Sequence, residues 1–417
     1  MAGDLADGPL VFVAQTYFPA VDGTATLIRH LAEQFAADGD DVHVITTDAL
    51  DPSGFRGRNA QRVKRPRAEE LRGVQVHRLA TRWWLSALGR PVQAVASRAR
   101  LPGAERAGDV FLGPVMRGFH ETLNHLGPTA VYASAFPFWH MHQLAAWGER
   151  RQVPVVLHGA VHPDDRWAFD RSSIRRSCLR AAGYAANTAY EARYVEGLGV
   201  PRSRITVVGA GVDPDALTAV AGTPPAEPHR RGPRVLFFGH LSVRKGLDTV
   251  VEALPAIWSR HPTAEVVIAG KTTDDADALR RAAVEVSRGH ALRWLADVTE
   301  AEKAALLASS SVVLYPSRAE SFGIVFLEAW TFAVPVIGSS AGAVPDVVED
   351  GVTGLLIAPG DSAALADSVS RLLADPAERR RLGDEGQRRV HERHTWPAVA
   401  LRARQALTTA GRSGDGT

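Results

Sequence analysis

Two glutamates stand eight positions apart, Glu320 and Glu328, in the segment PSRAESFGIVFLEAW, residues 316–330. The segment is otherwise apolar enough for a core, and a buried carboxylate is costly unless something pairs with it. The run IVFLEAWTFA has the length and content of a buried helix that follows the strand SVVLYPS. Glu320 then lies in the strand-to-helix loop, and Glu328 lies about one turn into the helix. Ser321, Phe322 and Gly323 fall at the helix N-terminus, where backbone N–H groups have no partner inside the helix. Such amides favour anionic or hydroxyl-bearing ligands. A carboxylate accepts two hydrogen bonds from a vicinal diol, such as that of a ribose, and a glycine at 323 lets a ligand approach the backbone. A purely structural alternative, a glutamate held by the helix dipole, explains Glu320 equally well. It explains Glu328 poorly, because Val325, Phe326 and Leu327 crowd that position with apolar neighbours.

The elements needed to hold these groups are legible along the chain. PLVFVAQ (9–15), DVHVITT (41–47), TAVYASA (129–135), VPVVLHG (153–159) and RITVVGAG (204–211) read as strands. TLIRHLAEQFAADGD between the first two repeats Leu27, Ile28, Leu31 and Phe35 at helical spacing. The Pro-rich stretch 213–234 reads as a linker. A second series follows: RVLFFGH, the helix LDTVVEALPAIWSR, AEVVIAGK, ALRWLAD, SVVLYPS, VPVIGSS and GLLIAPG. The helix SAALADSVSRLLADP and a last helix, WPAVALRARQALTTA, come after them. Strands alternating with helices imply right-handed crossovers and mainly parallel sheets. The expected class is therefore α/β, with two Rossmann-like, doubly wound parallel-sheet domains facing an interdomain cleft. The expected division is 1–214, a linker 215–232, 233–394, a helix 395–411 and a disordered tail 412–417. Ligands of such sheets bind beyond the carboxyl ends of the strands.

Composition bounds the possibilities. With 417 residues, 45% hydrophobic and 23% charged, the chain is of ordinary globular character, and a net charge of +2 gives no sign of a nucleic-acid partner. The single cysteine, Cys178, excludes internal disulfides and cysteine-based metal sites. The opening MAGDLADGPL lacks the basic region of a signal peptide, and no apolar run approaches the ~18–20 residues that span a bilayer. A cytoplasmic location is expected. Between Arg56 and Arg106 there are thirteen Arg/Lys against three acids, with Trp83 and Trp84 near the middle. This segment reads as a solvated, partly disordered loop, or as a surface for peripheral contact with an anionic membrane or anionic acceptor.

The two glutamates and their surroundings resemble the E-x7-E motif of retaining glycosyltransferases with the GT-B fold, glycosyltransferase family 4. The resemblance runs through PSRAESFGIVFLEA and VPVIGSSAGAVPDVVEDGVTGLLIAPGD. It extends to VVGAGVD (207–213), to FFGHLSVRKGLDTVVEAL (237–254), similar to the family's phosphate loop, and to AQTYFPAVDGTATLIRHLAEQF, similar to its N-terminal glycine loop. It is weak between about 50 and 150. The resemblance implies that Glu320 sits beside the transferred sugar, with the amides of Ser321, Phe322, Gly323 and Ile324 on its hydroxyls and the diphosphate. It implies that Glu328 holds the ribose, that Lys245, Arg244, Gly239 and His240 form the diphosphate site, that Gly23 closes a loop on the phosphates, and that His158 touches the donor sugar. Without that context, His158 reads as a satisfied histidine at a strand end. The resemblance also implies that the last helix crosses back to the N-terminal domain.

Three positions depart from the family pattern. His240 stands where an arginine is usual, Asp22-Gly23 replaces Gly-Gly, and Phe332-Ala333 replaces Cys-Gly. The implied reaction is retaining transfer of a hexose or N-acetylhexosamine from a nucleotide sugar, uridine-linked on family frequency, to a hydroxyl acceptor such as a cyclitol, antibiotic aglycone, lipid or glycan. No cofactor and no metal are expected. Lys245 and the helix amides would stabilise the leaving diphosphate, and no second acid is placed near Glu320 for double displacement. Rival readings are an epimerase or sugar phosphorylase of the same fold, a silent sugar-nucleotide-binding protein, and a GT-A enzyme using Asp275 and Asp277 or Asp213 and Asp215 as an Asp-x-Asp metal site.

Overall fold

Short β-branched runs alternating with amphipathic helices build two sheets in the computed structural model of the chain, which describes residues 8–55, 57, 61–65, 67–98, 104–163, 165–222 and 232–414. The first sheet contains β1 (Leu10–Ala14), β2 (Val42–Thr47), β3 (Ala68–Leu71), β4 (Val74–Leu79), β5 (Ala130–Ser134), β6 (Val155–His158), β7 (Gly183–Ala186) and β8 (Ile205–Val207). Their order is β3-β4-β2-β1-β5-β6-β7-β8. All neighbours are parallel except β3 and β4, which form an antiparallel edge hairpin. The second sheet contains β9 (Arg234–Phe238), β10 (Glu265–Gly270), β11 (Leu292–Ala296), β12 (Val312–Tyr315), β13 (Val336–Ser339) and β14 (Gly354–Ile357). Its order is β11-β10-β9-β12-β13-β14, parallel throughout. Helices cover both faces of each sheet, so the central strands are apolar along their whole length. Every residue of β1, β5 and β12 is buried.

The chain divides into two units, Met1–Gly209 with Trp396–Thr417, and Ala210–Thr395. The first boundary falls at 209 and not at the expected 214, because Ala210 and Val212 are buried with Leu236, Val313 and Phe326 in the core of the second unit. The expected linker 215–232 is corrected by the helix Pro214–Ala221. Asp213 caps it by accepting from the Ala216 amide at 2.9 Å, and Pro214 at the first helical position has its φ preset for a helix. Residues 223–231 of that stretch lie outside the described residues.

The last helix, Trp396–Gly414, belongs to the first unit. Val399, Ala403, Ala406, Leu407 and Ala410 recur at the spacing of one helical face and are buried with Phe12, Leu31, Phe35 and Tyr132. The Arg404 guanidinium lies 4.2 Å from the centre of the Phe35 ring and pairs with Asp38 and Asp40. The helix runs past the expected limit of 411, which corrects the tail 412–417 as far as Gly414. Residues 415–417 lie outside the described residues.

The basic segment 56–106 is also corrected in part. Its described residues include β3, β4 and a helix, Trp83–Arg98. The alternation Val74, Val76 inward with Gln75, His77 less buried is the period-two signal of a half-buried strand. That helix exposes Trp84, Leu88, Val92 and Val95. Among the described residues no helix is long and apolar enough to cross a membrane.

Candidate active site

Strand β12 ends at Tyr315, and the helix Ile324–Thr331 begins nine residues later. Val325, Phe326, Leu327, Ala329 and Trp330 bury themselves in the second unit's core and fix this helix. Gly323 caps it in the left-handed conformation, φ 91°, with no side-chain cap. A Cβ at 323 would lie 2.6 Å from the Phe326 ring, so both backbone and space require glycine. The amides of Ser321, Phe322, Gly323, Ile324 and Val325 find no acceptor among the described residues. The loop before them is tied down by Arg318, whose guanidinium forks onto Asp248 at 2.8 and 2.7 Å and also donates to the Val243 carbonyl at 2.6 Å. Phe322 is buried and meets the His394 ring edge-on, with centroids 5.6 Å apart. It is therefore the backbone of 322, not its ring, that remains available.

Glu320 is 8% exposed. Its carboxylate accepts from the Tyr315 hydroxyl at 2.6 Å and from the Lys245 ammonium. Burial, and next the Glu320 charge, push the Tyr315 phenol far above its usual range, so it stays protonated and donating. Lys245 comes from the turn Val243–Lys245 after β9, and its ammonium lies 5.5 Å from the centre of the Tyr315 ring. Gly239, at the end of β9, lies against the same ring. A Cβ there would come within 2.6 Å of Tyr315.

His240 is exposed, and its imidazole is lowered from the ordinary range by partial burial, then by the charges of Lys245 and Lys271, with Glu320 opposing them. Arg244 is exposed, and its guanidinium has no partner among the described residues. The expected phosphate-site residues Gly239, His240, Arg244 and Lys245 are thus neighbours around the ends of β9 and β12.

Glu328 has a partner that the sequence reading missed. Lys303, from the helix Glu300–Ala308, donates to the Glu328 carboxylate at 2.7 Å and pairs with Glu300 at 2.6 Å. Burial works to lower the Lys303 pKa, but the charges and hydrogen bonds of Glu328 and Glu300 outweigh it, and the net shift is upward. The signal was present as a lysine in the amphipathic run EAEKAALLA at a position that faces inward. Tyr315 and Lys271 were missed as well.

In the first unit, Gly23 is the exposed first residue of the helix Gly23–Ala37. Asp22 is its cap, and its carboxylate accepts from the Thr24 and Ala25 amides at 3.0 Å each and from the Thr16 hydroxyl at 2.5 Å. The charge added by Asp22 is thereby spent on the helix N-terminus. Nothing lies within 4 Å of a Cβ built on Gly23, and its φ is not positive, so neither space nor backbone demands glycine there.

His158 ends β6 and is fully buried, with one ring nitrogen 2.7 Å from the Tyr132 hydroxyl and the other 2.7 Å from the Asn187 side-chain oxygen. Both ring nitrogens are thus already bonded in this form. Burial holds the ring neutral, with a pKa lowered to about 4 despite the Asn187 bond. Glu191, also missed, sits beneath this site. It accepts from the Tyr184 hydroxyl at 2.7 Å and from the Asn187 and Val161 amides at 2.8 and 3.0 Å, and burial raises its pKa to about 7.

One member of each Asp-x-Asp candidate serves local structure. Asp213 caps a helix and Asp275 accepts from the Val243 amide at 3.1 Å. Among the described residues no group of three or more His, Cys, Asp or Glu is placed to hold a metal ion.

Comparison with known proteins bears on both units. The family model "Glycosyltransferase Family 4" matches residues 21–216, and "Glycosyl transferases group 1" matches 225–389. A glycogen synthase of Mycobacterium tuberculosis is 27% identical over 424 residues, covering 97% of this chain and 95% of that protein. A phosphatidyl-myo-inositol mannosyltransferase of Mycobacterium leprae is 35% identical over 209 residues, 49% of this chain and 53% of the relative. Among solved structures, the sucrose-phosphate synthase of Thermosynechococcus elongatus superposes with a TM-score of 0.70 at 22% identity, over 95% of this chain and 98% of that one. Anabaena HepE in complex with UDP-glucose gives 0.68 at 16% identity, over 96% and 99%. Two family models that adjoin along the chain, relatives that share their chemistry, and the same pair of parallel sheets agree: the chain belongs to the GT-B-fold glycosyltransferases of family 4.

Proposed function

We propose that the chain is a retaining hexosyltransferase that takes a hexose or N-acetylhexosamine from a nucleoside diphosphate sugar, uridine-linked, and transfers it to a hydroxyl of an acceptor. The observation that carries the reading is the buried Glu320 carboxylate, held by Lys245 and Tyr315 beside a row of amides without acceptors. An isolated buried carboxylate would be expelled or protonated; this one has a countercharge that a diphosphate could also use. Anabaena HepE, bound to UDP-glucose in its structure, supports the choice of donor.

The chemistry follows from the placement of charge. As the glycosidic bond breaks, negative charge grows on the diphosphate, and Lys245, Arg244 and the amides of 321–324 meet it without reorganising. Each such donor could supply about 3 kcal/mol in a dry site. Lys245 shifts its interaction from Glu320 to the phosphate, which leaves the Glu320 carboxylate to stabilise positive charge on the sugar ring. The leaving phosphate takes the acceptor proton on the face it vacates, which gives retention. Glu328, oriented by Lys303, accepts from the ribose diol. The reading assigns no step to a metal.

The test is release of nucleoside diphosphate from UDP-glucose, UDP-N-acetylglucosamine and GDP-mannose, with and without an alcohol acceptor and with EDTA. Release that needs the acceptor and survives EDTA supports transfer. Acceptor-independent isomerisation of the donor would make the chain an epimerase, and loss of activity in EDTA would overturn metal independence.

A peripheral membrane contact is the second reading. On the helix Trp83–Arg98 the exposed Trp84, Leu88, Val92 and Val95 fall within one face, with the exposed Arg82 and Arg98 at its ends. Co-sedimentation with anionic but not neutral vesicles, lost in Trp84→Ser/Leu88→Ser, is the expected result.

A further inference from the structure

Away from the residues discussed so far, the first unit contains a cavity of about 550 Å³. It lies among the helices Ala104–Leu112, Phe119–Leu126, Trp139–Arg151 and Ser172–Arg180. The volume is that of a small-ligand site and not of a packing defect.

Four arginines line it: Arg106, Arg150, Arg176 and Arg180. Arg176 approaches Glu105 at 3.9 Å and Arg180 approaches Glu149 at 3.3 Å, both loose, half-exposed pairs. Arg106 and Arg150 have no acidic partner among the described residues. The Arg106 guanidinium instead lies 5.8 Å from the centre of the Trp139 ring, which also lines the cavity. The one carboxylate in the lining, Asp109, is already engaged by Arg171 at 3.2 Å and by the Ser173 hydroxyl at 3.2 Å. The cavity is therefore cationic.

Its floor is polar and incompletely bonded. The His142 side chain is 8% exposed; one nitrogen meets the Ser177 hydroxyl at 2.8 Å, while Nε2 has no hydrogen bond and stands 3.9 Å from Asp109. Burial holds that ring neutral, its pKa lowered to about 3. The Gln143 Oε1 and the His120 Nε2 are likewise buried without partners. Three unsatisfied polar atoms on residues that line one small cavity are unusual, since buried polar atoms nearly always find partners. Each is covered in this form, so the hydroxyls of a ligand reach it only when the side chain turns toward the cavity.

We propose that this cavity binds a small phosphorylated sugar or cyclitol, with its phosphate on the arginines, its hydroxyls on Gln143, His120 and His142, and a ring face against Trp139. Arginine is suited to this because its planar fork matches two phosphate oxygens, and an aromatic ring suits the apolar face of a pyranose or cyclohexane. The site shares no residue with the proposed donor site, so it stands independently of the reading above.

The test is calorimetric titration of the full chain, with UDP present in excess, by glucose 6-phosphate, myo-inositol 1-phosphate, glucose and inorganic phosphate. The expected result is that one of the two phosphorylated polyols binds at least about tenfold more tightly than inorganic phosphate. Glucose shows no binding. Arg106→Gln and Arg150→Gln, both at exposed positions, each weaken that polyol phosphate about tenfold, with an unchanged melting temperature and unchanged UDP affinity. Gln143→Ala weakens the polyol phosphate but not inorganic phosphate. Absence of binding by both polyol phosphates, or binding indifferent to the arginine variants, would overturn the site. Equal affinity for inorganic phosphate would overturn its sugar component. Failure of UDP to bind the parent chain would count against the donor site alone, because the polyol phosphate titrations read the cavity without it.

Discussion

The Lys245 ammonium and the Glu320 carboxylate, 75 positions apart in the chain, form an ion pair at the ends of adjacent strands, with the Tyr315 hydroxyl as a second donor to the same oxygen. Removing one member leaves the other exposed to the cost of an uncompensated charge, whereas removing both does not. Lys245→Ala and Glu320→Gln are each expected to lower kcat about 100-fold or more. The double variant should regain the melting temperature of the parent chain while staying inactive. Thermal unfolding and initial rates on the three variants check this; recovery of activity in the double variant would contradict it.

Lys303 touches the proposed ribose acceptor and not the reacting carbon. Lys303→Met should therefore weaken UDP binding about tenfold, by freeing Glu328 to reorient, with a smaller change in kcat. Lys303→Arg should restore part of the loss. Calorimetry with UDP and with inorganic pyrophosphate separates the effect, since pyrophosphate has no ribose and should be indifferent.

At Gly323 a methyl group faces the Phe326 ring at 2.6 Å from a backbone with φ 91°. Gly323→Ala is expected to cost about 1–3 kcal/mol of stability and to disturb the amides that begin the helix. Gly23→Ala, with open space around it, should be nearly neutral for stability. Denaturant titration of the two variants tests the contrast.

Glu191 supplies a pH dependence of opposite sign to that of most carboxylates. Its pKa rises on folding from 4.5 to about 7, so between these values the folded state holds a proton that the unfolded state has released. Its contribution is fully present below pH 4.5 and is lost as pH rises through about 7. The change is on the order of 3 kcal/mol at most. Glu191→Gln should flatten stability over that interval, as measured by urea midpoints at several pH values. His158 acts in the other direction: its folded pKa of about 4 makes stability fall as pH drops from 6.5 toward 4.

The parts of this arrangement that could be read from the chain were those set by local pattern. The helix Leu247–Arg260 and the strands β1, β2 and β9 follow from periodicity alone, and Glu320 and Glu328 follow from a spacing within one loop and helix. What could not be read depended on distance in sequence. The partners of the two glutamates, Lys245 and Lys303, lie 75 and 25 residues away, and only Lys245 was placed, through its phosphate-loop context. The edge hairpin of β3 and β4 was hidden because Glu69, Glu70, Gln75 and Arg78 mimic a solvated loop, although Arg78 is buried. The short strand β7, GYAA, carries too little β-branched content to stand out. His158 showed its place at a strand end but not that Tyr132 and Asn187 occupy both ring nitrogens.

The return of Trp396–Gly414 to the first sheet has a consequence for biosynthesis. On the ribosome, Ala210–Thr395 is a continuous stretch and can fold as soon as it emerges. The earlier half must wait, with the apolar flank of Phe12, Phe35 and Tyr132 uncovered, until the closing helix has been translated. A nonsense mutation near codon 395 would therefore spoil the half made first and leave the half made last intact.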